Sequence, residues 1–235
     1  MTDRNRYQLE PAFLLHRRSY SNSSLLVECL TLHHGRFPAI AKGVIGGRGT
    51  GAALLQPFVP LKLNWSGRGE VKTITGFEQS GKNMELQGRT LYCGFYLNEL
   101  LMRLLQRNDP YEELFGYYTE ALTLLAGGDR GDQVLRRFEI RMFNTLGYAL
   151  ILDRDVENNI PLSPDRRYDY LIESGPVPTV GGALGIVSGS TLLALANDLP
   201  LEGEGRREAR ELSRHLLAHY LGDKQLKSRE LFQGI

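Results

Sequence analysis

Near residue 80 the hydrophobic pattern of this chain changes its period, and that change restricts the fold more than any single motif. From Gln8 to about Gln79 the apolar residues alternate in short runs: QLEPAFLLHRRSYS, SLLVECLTL, RFPAIAKGV, FVPLKLNWS and EVKTITGFE. A period of two puts successive side chains on opposite faces of an extended strand. The turn signals HHG, GGRGTG and SGRG separate the runs. Five strands with no helical period between them predict a small closed barrel. An OB-type barrel and an SH3-like barrel both satisfy the pattern.

Beyond residue 85 the apolar spacing is that of helices. TLYCGFYLNELLMRLLQRND is apolar around much of its circumference, which predicts a buried central helix with Thr90 as N-cap. DPYEELFGYYTEALTLLAGG reads as a second helix, with Asp109 as cap, Pro110 in the first helical position and Gly127-Gly128 at the end. DQVLRRFEIRMFNTLGY places Leu135, Phe138, Met142 and Leu146 on one face, with Arg137 and Arg141 toward another. Residues 149–190 interrupt the pattern with prolines, glycines and acids, and read as an irregular insertion with extended pieces. A last helix runs from about Glu204 to Leu221, with Arg206, Arg210 and Arg214 as a cationic stripe and Gly222 as its stop. The expected class is therefore α+β multidomain: an N-terminal β-barrel over 1–80 and a mainly α-helical domain over 81–235.

The net charge of +1 conceals an asymmetry. Residues 1–80 carry ten Lys/Arg against five Asp/Glu, and the remainder eighteen against twenty-two. A cation excess on a small domain attracts polyanions, although ordinary surface variation gives the same count. Phe37, Trp65 and Phe77 lie in or beside predicted strands, as do Arg36, Lys42, Lys62, Arg68 and Lys72. Aromatics for stacking and cations for phosphates are the ingredients of sequence-tolerant single-strand binding. The same aromatics would equally fill a barrel core.

Enzymatic signatures are missing. GGRGTG has neither the GxGxxG spacing nor a Walker Lys-Ser/Thr, and reads as a strand-to-strand loop carrying Arg48. His215 and His219 are one turn apart without a zincin glutamate, and GxSxG is absent. Cys29 and Cys93 are distant and form no CxxC pair. No stretch approaches the apolar length of a membrane span and no secretory signal opens the chain, so the expected location is the cytoplasm, with no cofactor and no metal.

Eight stretches occur in one order along the chain: FLLHRRSYSNSSLL, AKG at 41–43, LQPF at 55–58, GRGEVKT at 67–73, LYCGFYLNELL at 91–101, LRRFE at 135–139, LGY at 146–148 and LKSRELF at the end. Together they resemble the RecO family of bacterial recombination mediators and DNA repair proteins. The resemblance implies an OB fold followed by a helical domain, and binding without turnover. It also implies ssDNA and dsDNA as ligands, annealing of complementary strands, engagement of the C-terminal tail of SSB, and joint action with RecR in loading RecA onto SSB-coated DNA. A nucleoid-associated protein that is monomeric on its own fits that role. The rival reading is a non-catalytic scaffold whose barrel binds protein partners.

Two departures from the family pattern bear on function. Many relatives carry four cysteines as a zinc site after LGY, whereas residues 149–190 contain none. The loop after AKG, usually rich in Arg and Lys, here retains Arg48 alone. Expected DNA contacts are Arg36, Lys42, Arg48, Arg68 and Lys72. Within the resemblance, the SSB tail is an acidic peptide with an apolar end and a free carboxylate, which calls for an apolar pocket rimmed by guanidinium; Leu135, Arg136 and Arg137 are the candidates. The terminal LGDKQLKSRELF has Leu226, Leu231 and Phe232 spaced to pack onto the helical domain, leaving Lys224, Lys227 and Arg229 outward. Lys227 and Arg229 either extend the DNA path or serve a structural clasp.

Overall fold

The structure is a computed structural model that describes residues 6–46, 51–148, 150–179, 186–222 and 225–232. The chain divides into two compact units, Met1–Gly127 with Leu226–Ile235, and Gly128–Gln225. This division is one of compactness, while the change of period near residue 80 marks where strands give way to helices.

The first unit is built on five strands: β1 (Arg6–Ser21), β2 (Ser24–Thr31), β3 (Gly35–Ala41), β4 (Leu61–Ser66) and β5 (Lys72–Gln79). They close into a barrel in the order β1-β2-β3-β5-β4, with β3 and β5 parallel and the other pairs antiparallel. This is the OB arrangement, and it decides between the two barrels the alternation allowed. Alternate residues point inward, so Leu25, Val27 and Cys29 of β2, Phe37, Ala39 and Ala41 of β3, and Leu61, Leu63 and Trp65 of β4 share one core. A short helix, α1 (Gly51–Leu54), precedes β4 and is tied to β1 by Arg17, which donates to Ala52 O at 2.8 Å and Leu55 O at 3.1 Å.

Strand β1 can pair with both β2 and β4 because it is long and broken by bulges. One register shift lies between Leu14 and His16, which leaves Leu15 out of the β2 ladder. Helix α2 (Gly88–Leu104) supplies the missing partner: Asn98 Nδ2 donates to Leu15 O at 2.9 Å. Asn98 Oδ1 in turn accepts from Tyr118 Oη at 2.6 Å, on helix α3 (Glu112–Ala126). Phe13 of β1 packs against Phe115 and Tyr118 at centroid distances of 5.5 and 5.2 Å.

Both helix starts differ from expectation. Gln87 is the N-cap of α2 and Thr90 lies three residues inside, where its hydroxyl accepts from Gln87 N at 3.2 Å. Helix α3 begins at Glu112, with Asp109 and Pro110 outside it, because residues 107–109 run against the start of β3. Asn108 N donates to Arg36 O at 2.8 Å. A Cβ on Gly35 would lie 2.2 Å from Asp109 O, so this close passage of two backbones requires glycine.

The second unit contains α4 (Gly131–Thr145), a two-stranded sheet of β6 (Arg154–Asp155) and β7 (Ile160–Pro161), and strands β8 (Arg167–Leu171), β9 (Gly175–Pro178) and β10 (Val187–Ser188) in the order β10-β8-β9. Helices α5 (Gly189–Ala196) and α6 (Gly203–Leu221) complete it. The stretch expected to be irregular thus carries two small sheets, and α5 is an addition to the expected helices. Glu208 of α6 fixes their assembly: its carboxylate accepts from Arg167 Nη1 at 2.7 Å, Ser188 N at 3.0 Å, Ser188 Oγ at 2.7 Å and Thr191 Oγ1 at 2.7 Å. Burial alone would push this carboxyl up, and the four donors outweigh it and hold the group below its ordinary value.

After α6 the chain rejoins the first unit as a 3-10 helix, Lys227–Phe232. Glu99 of α2 accepts the N–H groups of Lys227 at 3.1 Å and Ser228 at 2.8 Å. Leu226 is buried, and Phe232 meets Tyr92 edge-on at 6.0 Å. Leu231, expected to pack, is 41% exposed, because a 3-10 turn repeats every three residues and cannot bury 226, 231 and 232 together.

Candidate nucleic-acid interface

Ladder register places the barrel's cations. Arg18 lies opposite Leu26, Leu26 opposite Ile40, and Ile40 beside Thr73, so one row crosses β1, β2, β3 and β5. Arg18 is exposed, and Leu26, Ile40 and Thr73 are half-buried. Lys42 follows the last residue of β3 and is exposed. Lys72 opens β5 beside Ala39 and is half-buried, and Arg68 is exposed on the loop that leads into β5. Three of the expected DNA contacts thus lie just past β3, at the start of β5 and on the loop before it. Tyr20, at the end of β1, is 59% exposed. Ile45 N donates to Ser23 O at 3.1 Å, which brings the exit of β3 to the β1-β2 hairpin that follows Tyr20.

Arg36 is placed differently. It lies at the opposite end of β3 from Lys42, about 20 Å away at 3.3 Å per residue. Its side chain is 11% exposed, paired with Glu28, and Nη2 donates to Leu105 O at 2.9 Å. Arg107 adds to the same group, with Nε 3.7 Å from Glu28 and a further ion pair to Glu70. Arg36 is thus an internal brace between β2, β3 and the end of α2. Arg48 lies outside the described residues, as does Lys224.

The aromatics divide likewise. Phe37 and Trp65 are core residues, 4.9 Å apart between centroids, and are not available to a base. Phe77 is half-buried against the same core. Sequence reading passed over Arg18 and Tyr20, whose signal was the switch in β1 from the apolar Phe13-Leu14-Leu15 to the polar HRRSYS.

In the second unit, α4 buries Leu135 in the core. Arg136 turns to the fully buried Glu139 at 2.7 Å. Arg137 Nε and Arg141 Nη2 converge on the carboxylate of Asp198 at 2.7 and 3.5 Å. Arg136 and Arg137 are therefore directed to different carboxylates. In the terminal segment Lys227 is exposed and Arg229 half-buried.

A zinc site of the thiolate kind does not fit these residues. Cys29 and Cys93 are both buried in the first unit, and burial first, then the Glu28 charge, pushes the Cys29 thiol up. Among the described residues no three His, Cys, Asp or Glu are grouped to hold a metal ion. Among them, too, no helix is long and apolar enough to cross a membrane.

Comparison with known proteins agrees with this architecture. Residues 6–81 match the family model for the recombination protein O N terminal, and residues 85–230 that for the recombination protein O C terminal. The chain belongs to the RecO family. It is 48% identical to the DNA repair protein RecO of Methylococcus capsulatus, over 99% of this chain and 96% of that protein. It is 44% identical to that of Nitrosospira multiformis over 98% and 97%, and 43% identical to that of Coxiella burnetii over 96% and 98%. RecO-family membership assigns the chain to DNA repair and recombination, and the closed barrel is the family's OB fold.

Proposed function

We propose that this chain is a cytoplasmic, nucleoid-associated DNA-binding mediator without catalytic turnover, which holds ssDNA and dsDNA on its barrel and anneals complementary strands. Supporting this reading is an OB barrel that carries Lys42 at the exit of β3, Lys72 at the start of β5, Arg68 on the loop before it and Arg18 on an exposed position of β1. Cations of this kind contact phosphates, which position a strand without reading its sequence. Tyr20 adds a face for stacking, since a base of any identity has a π surface.

Its partners in this reading are SSB, through its C-terminal tail, and RecR, with which it promotes RecA loading on SSB-coated ssDNA. Of the expected tail contacts, Arg137 is the reachable guanidinium, backed by Arg141, while Arg136 and Leu135 build the helix behind it. Lys227 and Arg229 extend the cationic surface of the first unit.

Titration of labelled ssDNA at several salt concentrations tests the reading. Affinity falls steeply with salt and depends little on sequence, because counterion release drives binding. Salt-independent affinity, or binding of proteins in place of DNA by the barrel, would overturn it.

A further inference from the structure

Helix α6 carries a second, separate concentration of positive charge. Its inward face consists of Glu208, Ala209, Leu212, Ser213, Leu216 and Leu217. The four hydrogen bonds to Glu208 fix the rotation of the helix, so Arg206, Arg207, Arg210 and Arg214 remain outside, and all four are exposed. Residues 128–225 contain twelve Lys/Arg against fifteen Asp/Glu. One face of one helix therefore holds a third of the cations of an otherwise acidic unit.

A solvated helix face normally alternates its charges at i, i+4. Here Arg206, Arg210 and Arg214 repeat one sign at i, i+4 and i+8, a spacing at which like charges repel within a helix. Asp132 relieves Arg206 at 2.9 Å, and Glu204 relieves Arg207 at 2.9 Å. Among the described residues Arg210 and Arg214 make no ion pair, with the exposed Glu211 the remaining acid of this face.

We propose that this ridge is a second phosphate-backbone surface, on which the chain holds a second nucleic-acid strand. All four cations are arginines, whose planar forks suit phosphate oxygens. A step of four residues rises about 6 Å, close to two nucleotides of a B-form strand at about 3.4 Å each. The inference rests on the DNA-binding reading of the barrel and extends it to annealing: with a phosphate surface on each unit, one chain neutralises two strands that otherwise repel.

The test uses the full chain with Arg210→Glu and Arg214→Glu together, and with Arg210→Gln and Arg214→Gln as the milder pair. Annealing of two complementary labelled strands slows severalfold, more for Glu than for Gln, and the salt slope of single-strand affinity falls by about 1.4. Both positions are exposed, so melting by circular dichroism stays unchanged. Unaltered annealing and slope in both variants would overturn the ridge while leaving the barrel reading intact, provided Lys42→Ala with Arg68→Ala still weakens binding. Loss of binding to an acidic peptide with annealing unaltered would assign the face to a protein and overturn the proposal. A wild-type chain that binds no DNA would end both readings.

Discussion

Asn98 donates its side-chain amide to the carbonyl of Leu15 at 2.9 Å, the residue that the β1 bulge leaves out of its ladder. A bulge frees a backbone group, and a buried group without a partner destabilises the fold by about 1–3 kcal/mol. Asn98→Leu therefore lowers the unfolding free energy by that amount or more, read as a lower urea midpoint, since Tyr118 Oη loses its acceptor as well. Tyr118→Phe costs less, because Asn98 keeps Leu15. Urea titrations of the two variants that gave equal midpoints would contradict this order.

The acid response of the terminal segment follows from Glu99. Burial pushes its carboxyl up, but the N–H groups of Ser228 and Lys227 and the Arg103 guanidinium outweigh burial and hold it below its ordinary value. A lowered folded pKa gives stability that is present above the unfolded value and lost as pH falls through the folded one. Limited trypsin digestion at neutral pH therefore cleaves after Lys227 and Arg229 faster in Glu99→Gln than in the wild type. The two proteins converge when their melting is compared in acid.

Arg36 and Lys42, at opposite ends of one strand, separate stability from binding. Arg36→Ala leaves the nearly buried Glu28 to the more distant Arg107 and lowers the melting temperature, with the salt slope of DNA affinity unchanged. Lys42→Ala leaves melting within error and reduces the slope by about 0.7 for single strands. The reverse pattern would move the DNA surface to the other end of β3.

Tyr20→Ala weakens ssDNA binding by about 1–3 kcal/mol if a base stacks there, and Tyr20→Phe restores it. The same substitution has little effect on duplex affinity, since paired bases offer no free face. Fluorescence anisotropy with both ligands reads the difference.

Glu208 is the joint of the second unit, so Glu208→Gln removes a charged acceptor shared by Arg167, Ser188 and Thr191. Hydrogen bonds to a charged group contribute about 1.5–3 kcal/mol, and a loss of that order in chemical denaturation is expected. Its folded pKa is lowered, so this contribution too is present above the unfolded value and disappears in acid.

The barrel was legible because alternation is a local property. The runs ending at Ser21 and Ser66 coincide with the ends of β1 and β4, and the inward set follows from parity. Helix α6 was equally legible, from its period and its stop at Gly222, whose φ of 59° suits glycine. Candidate residues were harder to place, because sequence shows charge without showing the partner. Arg36 and Lys42 are both strand-end cations in the sequence, and only the approach of Glu28 and Leu105 separates them. Phe37, Trp65 and Tyr20 are all strand aromatics, and closure of the barrel puts two inside and one outside.

The terminal segment shows the same limit. Its spacing announced an apolar clasp with cations outward, and Leu226 and Lys227 follow that pattern. That the clasp closes on α2 through the carboxylate of Glu99 could not be read locally, because 128 residues separate Glu99 from Lys227. Period, turn chemistry and charge count, all short-range quantities, were determined by the sequence itself. Which arginine braces the fold, which carbonyl a bulge exposes and where the tail docks were decided by tertiary structure, since each depends on groups brought together from distant parts of the chain.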